Sequence, residues 1–162
     1  MTWRVPNPQS LFEAARIAFG DLAKYLDRRQ PRMYYVNPNF DYTVTTTLTD
    51  ITNMTVTIDA GPKGATIVYT ADWQVAQSAA GGIYVIADTL VDGVKLAGQE
   101  AACYTDAFSG EHCAMSRTGT QHVGPGTHVV KCRAQKSAAA GSVAIQSVAA
   151  SRTCLTVVVY PD

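Results

Sequence analysis

The stretch Ala65-Thr-Ile-Val-Tyr-Thr-Ala-Asp-Trp-Gln-Val75 decides the fold class of this chain. Every second residue in it is apolar, and the residues between are polar except for Val68. A period of two places successive side chains on opposite faces of an extended strand. The stretch therefore predicts a β-strand with one face in a core and the other face toward solvent.

Further strands with the same period lie on both sides of this stretch. Asp92-Gly93 is typical of a type I′ hairpin turn that returns the chain through Val94–Ala97. Residues 98–112 are less regular, and we expect a loop there. The other strands predicted by alternation are Tyr42–Leu48, Met54–Ile58, Ile83–Val91, Cys113–Arg117, Thr127–Gln135, Ser142–Val148 and Arg152–Tyr160.

About eight strands separated by regular turn signals, with no second helical pattern among them, argue against a parallel βαβ architecture. We predict a mainly β protein, an antiparallel β-sandwich or jelly roll over residues 37–162, preceded by one N-terminal α-helix. The final segment, Leu155–Tyr160, is apolar on both faces. Such a strand belongs in the middle of a sheet or beneath a subunit contact.

The helix is predicted over residues 10–30. Ser10-Leu-Phe-Glu13 matches a capping box, in which the Ser and Glu side chains each satisfy a free backbone donor. Asn7-Pro8 offers an alternative start one turn earlier. Pro31 disfavours helical geometry at Gln30 and so ends the helix.

An apolar seam with heptad spacing runs along this helix. Its members follow at intervals of 3, 4, 3 and 4 residues, which keeps them on one side; they are Phe12, Ala15, Phe19, Leu22 and Leu26. The seam predicts association of helices from several copies about a symmetry axis. A helix laid against its own sheet needs a similar stripe, so this second interpretation stays open.

Residues 1–9 are predicted to form an extended arm, because Pro6 and Pro8 disfavour a continuous helix. Trp3 is the one large apolar group of the arm. An exposed Trp is unfavourable unless a partner surface covers it, and buried aromatic side chains dominate binding energy at interfaces. Trp3 therefore joins the five seam residues as a candidate site of oligomer contact and attachment.

Composition limits the partners of the 162-residue chain. Hydrophobic residues make up 47% of it and charged residues only 16%, against about 25% charged in an ordinary domain. We therefore expect much of the outer surface to be neutral or covered by other subunits. Thirteen basic residues balance thirteen acidic ones, so no basic field is available to bind nucleic acid.

Neither a leader peptide nor a membrane span is recognisable, and we expect the chain to fold in a cytoplasm. Its cysteines, Cys103, Cys113, Cys132 and Cys154, would then begin as thiols and act as small buried hydrophobes. If a pair is oxidised, we favour Cys103 with Cys113, which would enclose the irregular loop. Cys132 with Cys154 is the alternative if their strands are neighbours.

No pattern in the sequence indicates catalysis, a cofactor or a metal ion. GxSxG is absent, and Gly61-Pro-Lys-Gly64 has the lysine of a phosphate loop without the rest of that motif. His128 and Cys132 would share a strand face too far apart to chelate one ion, while His112 and Cys113 would point to opposite faces. We therefore expect a non-enzymatic protein without cofactor or metal.

Three segments within about 40 residues resemble a known family. They are Gly124-Pro-Gly-Thr-His-Val-Val-Lys-Cys-Arg133, the small-residue hairpin Ser137-Ala-Ala-Ala-Gly141, and Ser151-Arg-Thr-Cys-Leu-Thr-Val-Val-Val159. Together they resemble the jelly-roll-like β-sandwich virion structural proteins of tailed bacteriophages, of the capsid-surface and minor tail type. The resemblance implies a non-enzymatic and commonly trimeric protein.

The residues and the resemblance together predict a structural protein of a phage virion assembled in the host cytoplasm, specifically a capsid decoration or minor capsid protein. The arm and helix would contact further copies of the chain, as a homotrimer, and the major capsid protein or other virion proteins. The alternative is a tail or fibre-tip module whose loops around Asp88–Asp92 and residues 98–112 bind a host glycan. A cellular carbohydrate-binding or cytokine-like module is a third class. Neither nucleic acid nor a membrane is an expected partner.

Overall fold

A computed structural model describes residues 8–38, 40–77, 82–105, 112–137, 141–147 and 153–162. Within these ranges, one helix, α1 (Pro8–Arg29), precedes ten strands. The strands are β1 (Arg32–Val36), β2 (Tyr42–Thr43), β3 (Thr49–Asp59), β4 (Ala65–Gln77), β5 (Ile83–Val91), β6 (Val94–Thr105), β7 (His112–Val123), β8 (Thr127–Lys136), β9 (Val143–Ile145) and β10 (Cys154–Pro161).

These ten strands form two antiparallel sheets, of six and four strands. Sheet A has the order β1-β10-β4-β7, and the short strands β9 and β2 extend it beside β4. Sheet B has the order β3-β8-β5-β6. Two packed antiparallel sheets of this kind make a jelly roll. The predicted fold class, a mainly β antiparallel sandwich with one N-terminal helix, is confirmed.

The core lies between the two sheets and is centred on β4. Burial alternates along the whole of β4, as its sequence predicts, and its inward Ile67, Tyr69 and Trp73 are fully buried. Sheet B contributes Val85 and Val130, among others, to the same cluster. Because β4 pairs with β10 on one edge and with β7 on the other, both of its edges are hydrogen-bonded.

Glycine is required at two places. Asp92 and Gly93 both have positive φ angles, of 51° and 80°, which is the type I′ turn predicted between β5 and β6. Gly119 is the cross-strand partner of Tyr69, and a Cβ there would lie 2.3 Å from Tyr69 Cζ. Since the Tyr69 ring is fully buried, it has no room to move aside.

The sandwich begins before the predicted residue 37. β1 pairs with β10, and its Tyr34 and Val36 pack against the core. The strand is too short for its alternation to stand out after Pro31. Two predicted strands are shorter in the structure. Of Tyr42–Leu48 only Tyr42–Thr43 forms a strand, and of Ser142–Val148 only Val143–Ile145 does, within the described residues. The Thr45 hydroxyl donates to Thr47 O instead, a local bond that competes with strand pairing.

The loop predicted over residues 98–112 is also wrong in part. Residues 98–105 belong to β6, and His112 begins β7; residues 106–111 lie outside the described part of the chain. Ala101 and Cys103 pack against the core while Ala102 and Tyr104 are exposed. A period of two is therefore present, but alanine on both faces weakens its contrast.

The doubly apolar final strand is correctly predicted to lie inside a sheet. β10 runs between β1 and β4. Leu155, Val157 and Val159 point into the core, and Val158 is half-buried on the outer face.

Candidate functional site

The apolar seam of α1 is open to solvent. Phe12 is 80% exposed and Phe19 71%, Leu22 and Leu26 are about half exposed, and Ala15 is exposed as well. The second interpretation of this stripe, a cover for the chain's own sheet, is therefore wrong. Trp3, the remaining predicted attachment residue, lies outside the described residues.

The seam occupies one side of the helix over about 21 Å of helix rise. The helix begins at Pro8, the earlier of the two predicted starts, so Ser10–Glu13 lies inside it rather than at its start. Ile17 is also exposed but lies roughly 180° around the helix from the seam. A heptad-spaced apolar stripe of this length can pack against the same stripe on other helices, because the 3-4 interval keeps its side chains facing a partner helix.

Helix α1 stands away from the sandwich at one end of it, which we call the helix end. From Phe12 onward, every helix side chain that the structure describes is exposed. The main contact between α1 and the sheets is with β10. The β3–β4 turn and the chain terminus meet there, since the Asp162 amide donates to Gly64 O at 3.2 Å. The Ala60 amide also donates to Gly126 O at 2.8 Å, which brings the β7–β8 turn to the same end.

We call the opposite end of the sandwich the far end; several strands begin or end there. Because neighbouring strands are antiparallel, the termini found at the far end are Gln77 of β4, Ile83 of β5, Thr105 of β6, His112 of β7, Lys136 of β8 and Cys154 of β10. The described part of the chain thus has a helix at one end and, at the other, the strand termini that flank residues 78–81, 106–111 and 138–140.

A groove of about 750 Å³ separates the last turn of α1 from the β3–β4 turn. Its charged lining includes Arg29, Arg32, Lys63, Asp59 and Asp162. Arg32 lies 3.9 Å from Asp59. Both signs of charge line the groove, so it selects neither an anion nor a cation.

The outer face of sheet A is largely neutral where the structure describes it. Asp72 is the one carboxylate that β4 places on this face, between Ser116 of β7 and Cys154 of β10, and His122 lies opposite Thr66 at the helix end. Between these two rows the polar contacts are neutral, such as the 3.0 Å pair of Thr70 and Thr118 hydroxyls. The neutral side chains of the face include Met33, Tyr35, Thr66, Val68, Thr70, Ser116, Thr118, Thr120, Thr156, Val158 and Tyr160.

The outer face of sheet B is charged and paired. Arg133 donates from Nε and Nη2 to the two carboxylate oxygens of Asp88, at 3.0 and 2.7 Å. Asp88 is only 1% exposed. Lys131 donates to Asp50 at 2.7 Å on the same face. The prediction of an exposed loop at Asp88–Asp92 is therefore wrong, because Asp88 lies in a paired strand and Asp92 lies at the helix end.

Two exposed tyrosines form a pair on sheet B that sequence reasoning missed. Tyr84 and Tyr104 are cross-strand partners near the far end, each about half exposed. Their ring centroids are 4.7 Å apart and the planes are tilted by 48°. A sequence-based search could find the pair only after β6 had been recognised through Thr105.

The cysteines lie in three environments. Cys132 points into the core, and burial raises the pKa of its thiol to about 12. Cys154 donates to Asp72 at 3.6 Å on sheet A; burial first, and then the Asp72 charge, raise the pKa of that thiol. The alternative pair, Cys132 with Cys154, is therefore not assembled, since Cys132 points into the core and Cys154 lies beside Asp72 on the outer face of sheet A. Cys103 and Cys113 lie on the edge strands β6 and β7.

A partly exposed ion pair joins two turns at the helix end. His128 Nδ1 lies 2.6 Å from Asp92 Oδ2, and Nε2 lies 2.9 Å from Gly124 O. Because both neighbours are acceptors, the doubly protonated ring satisfies both, and the Asp92 hydrogen bond raises the pKa of His128. Burial alone would raise the pKa of Asp92, but hydrogen bonds from His128 and the Val129 amide lower it overall.

We expect this pair to stabilise the fold most between about pH 4 and 6.5. The raised pKa of His128 gives a contribution that is complete below its unfolded value and lost as pH rises through the folded one. The lowered pKa of Asp92 gives a contribution lost as pH falls through its folded value. The free energy of unfolding, measured in urea, should fall by up to about 1 kcal/mol between pH 5.5 and 8, a small change because Asp92 is half exposed.

The Asp92→Asn variant tests this expectation, because Asn accepts the positive φ of residue 92 but carries no charge. The difference between the two pH values should shrink in this variant. His122→Gln is the matched control, since His122 pairs with Asp162 at 2.8 Å but is 63% exposed. An equal loss of pH dependence in the control would contradict the assignment to His128.

No group of three or more His, Cys, Asp or Glu side chains in the described residues could hold a metal ion. His112 is exposed and Cys113 is half-buried, as their neighbouring strand positions predict. No helix in the described part of the chain is long and apolar enough to span a membrane.

No protein-family model and no curated protein matches the sequence. Murine APRIL, in a crystal structure at pH 5.0, superposes with a TM-score of 0.51 at 8% identity, over 80% of this chain and 98% of that one. Eiger TNF from S. frugiperda gives 0.51 at 10% identity, over 80% and 92%. A structure of the infectious bursal disease virus Gt strain overlaps more loosely, with 0.47 at 16% identity over 82% and 36%.

At such identities the first two likenesses show the fold alone. They agree with the strand order in assigning the chain to the jelly-roll β-sandwich proteins.

Proposed function

We propose that this chain is a non-enzymatic structural protein of a bacteriophage virion, a capsid decoration or minor capsid protein. The arm and α1 attach it, and the jelly roll is displayed. The observation that carries the proposal is the exposed apolar seam of α1, on a helix that stands away from the sandwich at one end. A jelly roll has no need of such a helix for its own core, so the seam is available for a partner.

Self-association into a homotrimer accounts for the seam. Phe12, Phe19 and Leu26 would be buried against the same residues of other copies, and the heptad interval fits such a bundle. The largely neutral outer face of sheet A supports close packing of neighbouring sandwiches, because few charges on it have to be desolvated. The charged and internally paired face of sheet B would remain toward solvent.

The arm then makes the contact with the shell. Residues 1–7 precede α1, and Trp3 is their one large apolar side chain. Pro6 reduces the conformational freedom that the arm loses on docking. The partner is the major capsid protein or another virion protein, reached from the helix end, so that the far end of the sandwich points outward.

Removing residues 1–7, or replacing Trp3 with alanine, should leave the sandwich folded and weaken binding to the particle by at least about 30-fold. The truncation leaves all of α1 in place. The measurement is co-sedimentation of the purified chain with particles assembled without it. Trp3→Phe is the matched control and should keep most of the binding. Normal co-sedimentation of the truncated chain would contradict attachment through the arm.

A second candidate function, receptor binding at a tail or fibre tip, is favoured by the Tyr84–Tyr104 pair. Exposed aromatic rings present an apolar face beside a polar hydroxyl, which suits the alternating surfaces of a sugar ring. The pair lies at the far end, opposite the helix. In this case Tyr84→Ala and Tyr104→Ala would abolish adsorption to host cells, while co-sedimentation with particles would be unchanged. The same pair of assays thus separates the two functions.

A further inference from the structure

Cys103 and Cys113 face each other across the open edge of the sandwich. Cys103 lies on β6, the edge strand of sheet B, and Cys113 on β7, the edge strand of sheet A. Both side chains are half-buried and pack against the core cluster from its margin. The two sheets come together at this edge without a backbone ladder between them.

A second contact fixes how β6 and β7 align. The Arg117 guanidinium donates from Nε to Gly98 O at 2.9 Å. Cys103 lies five residues after Gly98 on β6, and Cys113 lies four residues before Arg117 on β7. The two strands are antiparallel, so both steps lead toward the far end. The two thiols are therefore close enough to form a hydrogen bond. Burial, and then this hydrogen bond with Cys113, raise the pKa of Cys103.

We propose that Cys103 and Cys113 form a reversible intrachain disulfide when the protein meets a low-molecular-weight disulfide such as oxidised glutathione. The bond would join the edges of the two sheets near the far end and enclose residues 106–111. The proposal rests on the geometry of this edge and holds whether or not the proposed function is correct.

The reaction balances without a metal ion. The Cys113 thiolate attacks one sulfur of oxidised glutathione, which forms a mixed disulfide and releases one glutathione thiolate. The Cys103 thiolate then attacks the Cys113 sulfur, the Cys103–Cys113 bond forms, and the second glutathione leaves. Two protons and two electrons pass from the protein thiols to one glutathione disulfide, which becomes two thiols.

The other two cysteines should not form protein disulfides. Cys132 is fully buried in the core, so the reagent has no access to it. Cys154 is half-buried on sheet A and has no second thiol on its face in the described part of the chain. It would form at most a mixed disulfide, and Cys154→Ser removes that complication.

The test begins with the Cys154→Ser chain in excess oxidised glutathione. Peptide mapping without reductant should find one intrachain bridge between Cys103 and Cys113, with Cys132 still a thiol. Closure of so short a loop should raise the unfolding temperature by about 6–12 °C relative to the reduced chain. Dithiothreitol should reverse both changes.

Cys113→Ser in the same background is the matched control. It should show neither the bridge nor the rise in unfolding temperature, and Cys103 should remain a thiol or carry glutathione. Three free thiols in the oxidised Cys154→Ser chain would overturn the proposal, and so would a bridge between two chains. Because mapping of the Cys154→Ser chain decides by itself, the proposal stays testable even if the Cys113→Ser variant fails to fold.

Discussion

A chain in which Phe12, Phe19 and Leu26 are all replaced by glutamine is expected to be a monomer at micromolar concentration, where we expect the parent chain to be a trimer. Each of these side chains is half exposed or more in the single chain, and burial of each would contribute about 1.5–3 kcal/mol. Loss of all three weakens association by more than about a thousandfold per protomer. Light scattering after size exclusion measures the change directly.

Ile17→Gln is the matched control for the triple variant. Ile17 is 54% exposed and has the same apolar character, but it lies on the side of α1 opposite the seam. Glutamine is a good helix former, so circular dichroism should report an unchanged helix content in both variants. The control should therefore remain a trimer.

Two outcomes would contradict the seam as the contact. A parent chain that is monomeric would leave the seam without a role in self-association. A triple variant that remains trimeric would place the contact on the neutral outer face of sheet A. Equal dissociation of the Ile17→Gln chain would mean that any loss of apolar surface on α1 suffices, without heptad specificity.

The sequence predicted the parts of the fold that depend on strong alternation. Burial alternates along all of β4 and most of β8, and the Asp92-Gly93 turn needs a backbone that few residue pairs accept. β1 was missed because it is short, and much of β6 because its small side chains give little contrast between faces. Tyr42–Leu48 alternates in sequence but forms a strand only over Tyr42–Thr43, and beyond it the Thr45 hydroxyl bonds locally to Thr47 O.

The candidate site, too, could be predicted from the sequence only in part. The seam of α1 could be recognised because heptad spacing is a local property of the sequence, but its exposure could not, since a helix covering its own sheet has the same pattern. The neutral face of sheet A, the Tyr84–Tyr104 pair and the His128–Asp92 pair each join residues distant in the chain. Only strand order and register bring such residues together. The sequence suggested Cys103 and Cys113 as the two ends of a loop, whereas in the structure they lie together because the edges of the two sheets meet there.

Trp73→Ala is expected to cost about 3–5 kcal/mol of the free energy of unfolding. Trp73 lies at the centre of the core on β4, opposite Met115, and is fully buried. A small domain has about 5–15 kcal/mol in total, so the variant should unfold at a much lower urea concentration. Both chains must be compared at one protein concentration, because dissociation adds to the apparent stability of an oligomer.

Trp73→Phe separates the volume of the indole from its polar atom. Trp73 Nε1 is buried without a hydrogen-bond acceptor among the described residues, and such a donor is costly to bury. Phenylalanine removes that donor along with part of the volume, so it should cost less than half as much as alanine. Tyr84→Ala, at an exposed position, should change the free energy by no more than about 0.5 kcal/mol. If phenylalanine costs as much as alanine, the indole nitrogen has a partner, and filling of the core is not the main contribution of Trp73.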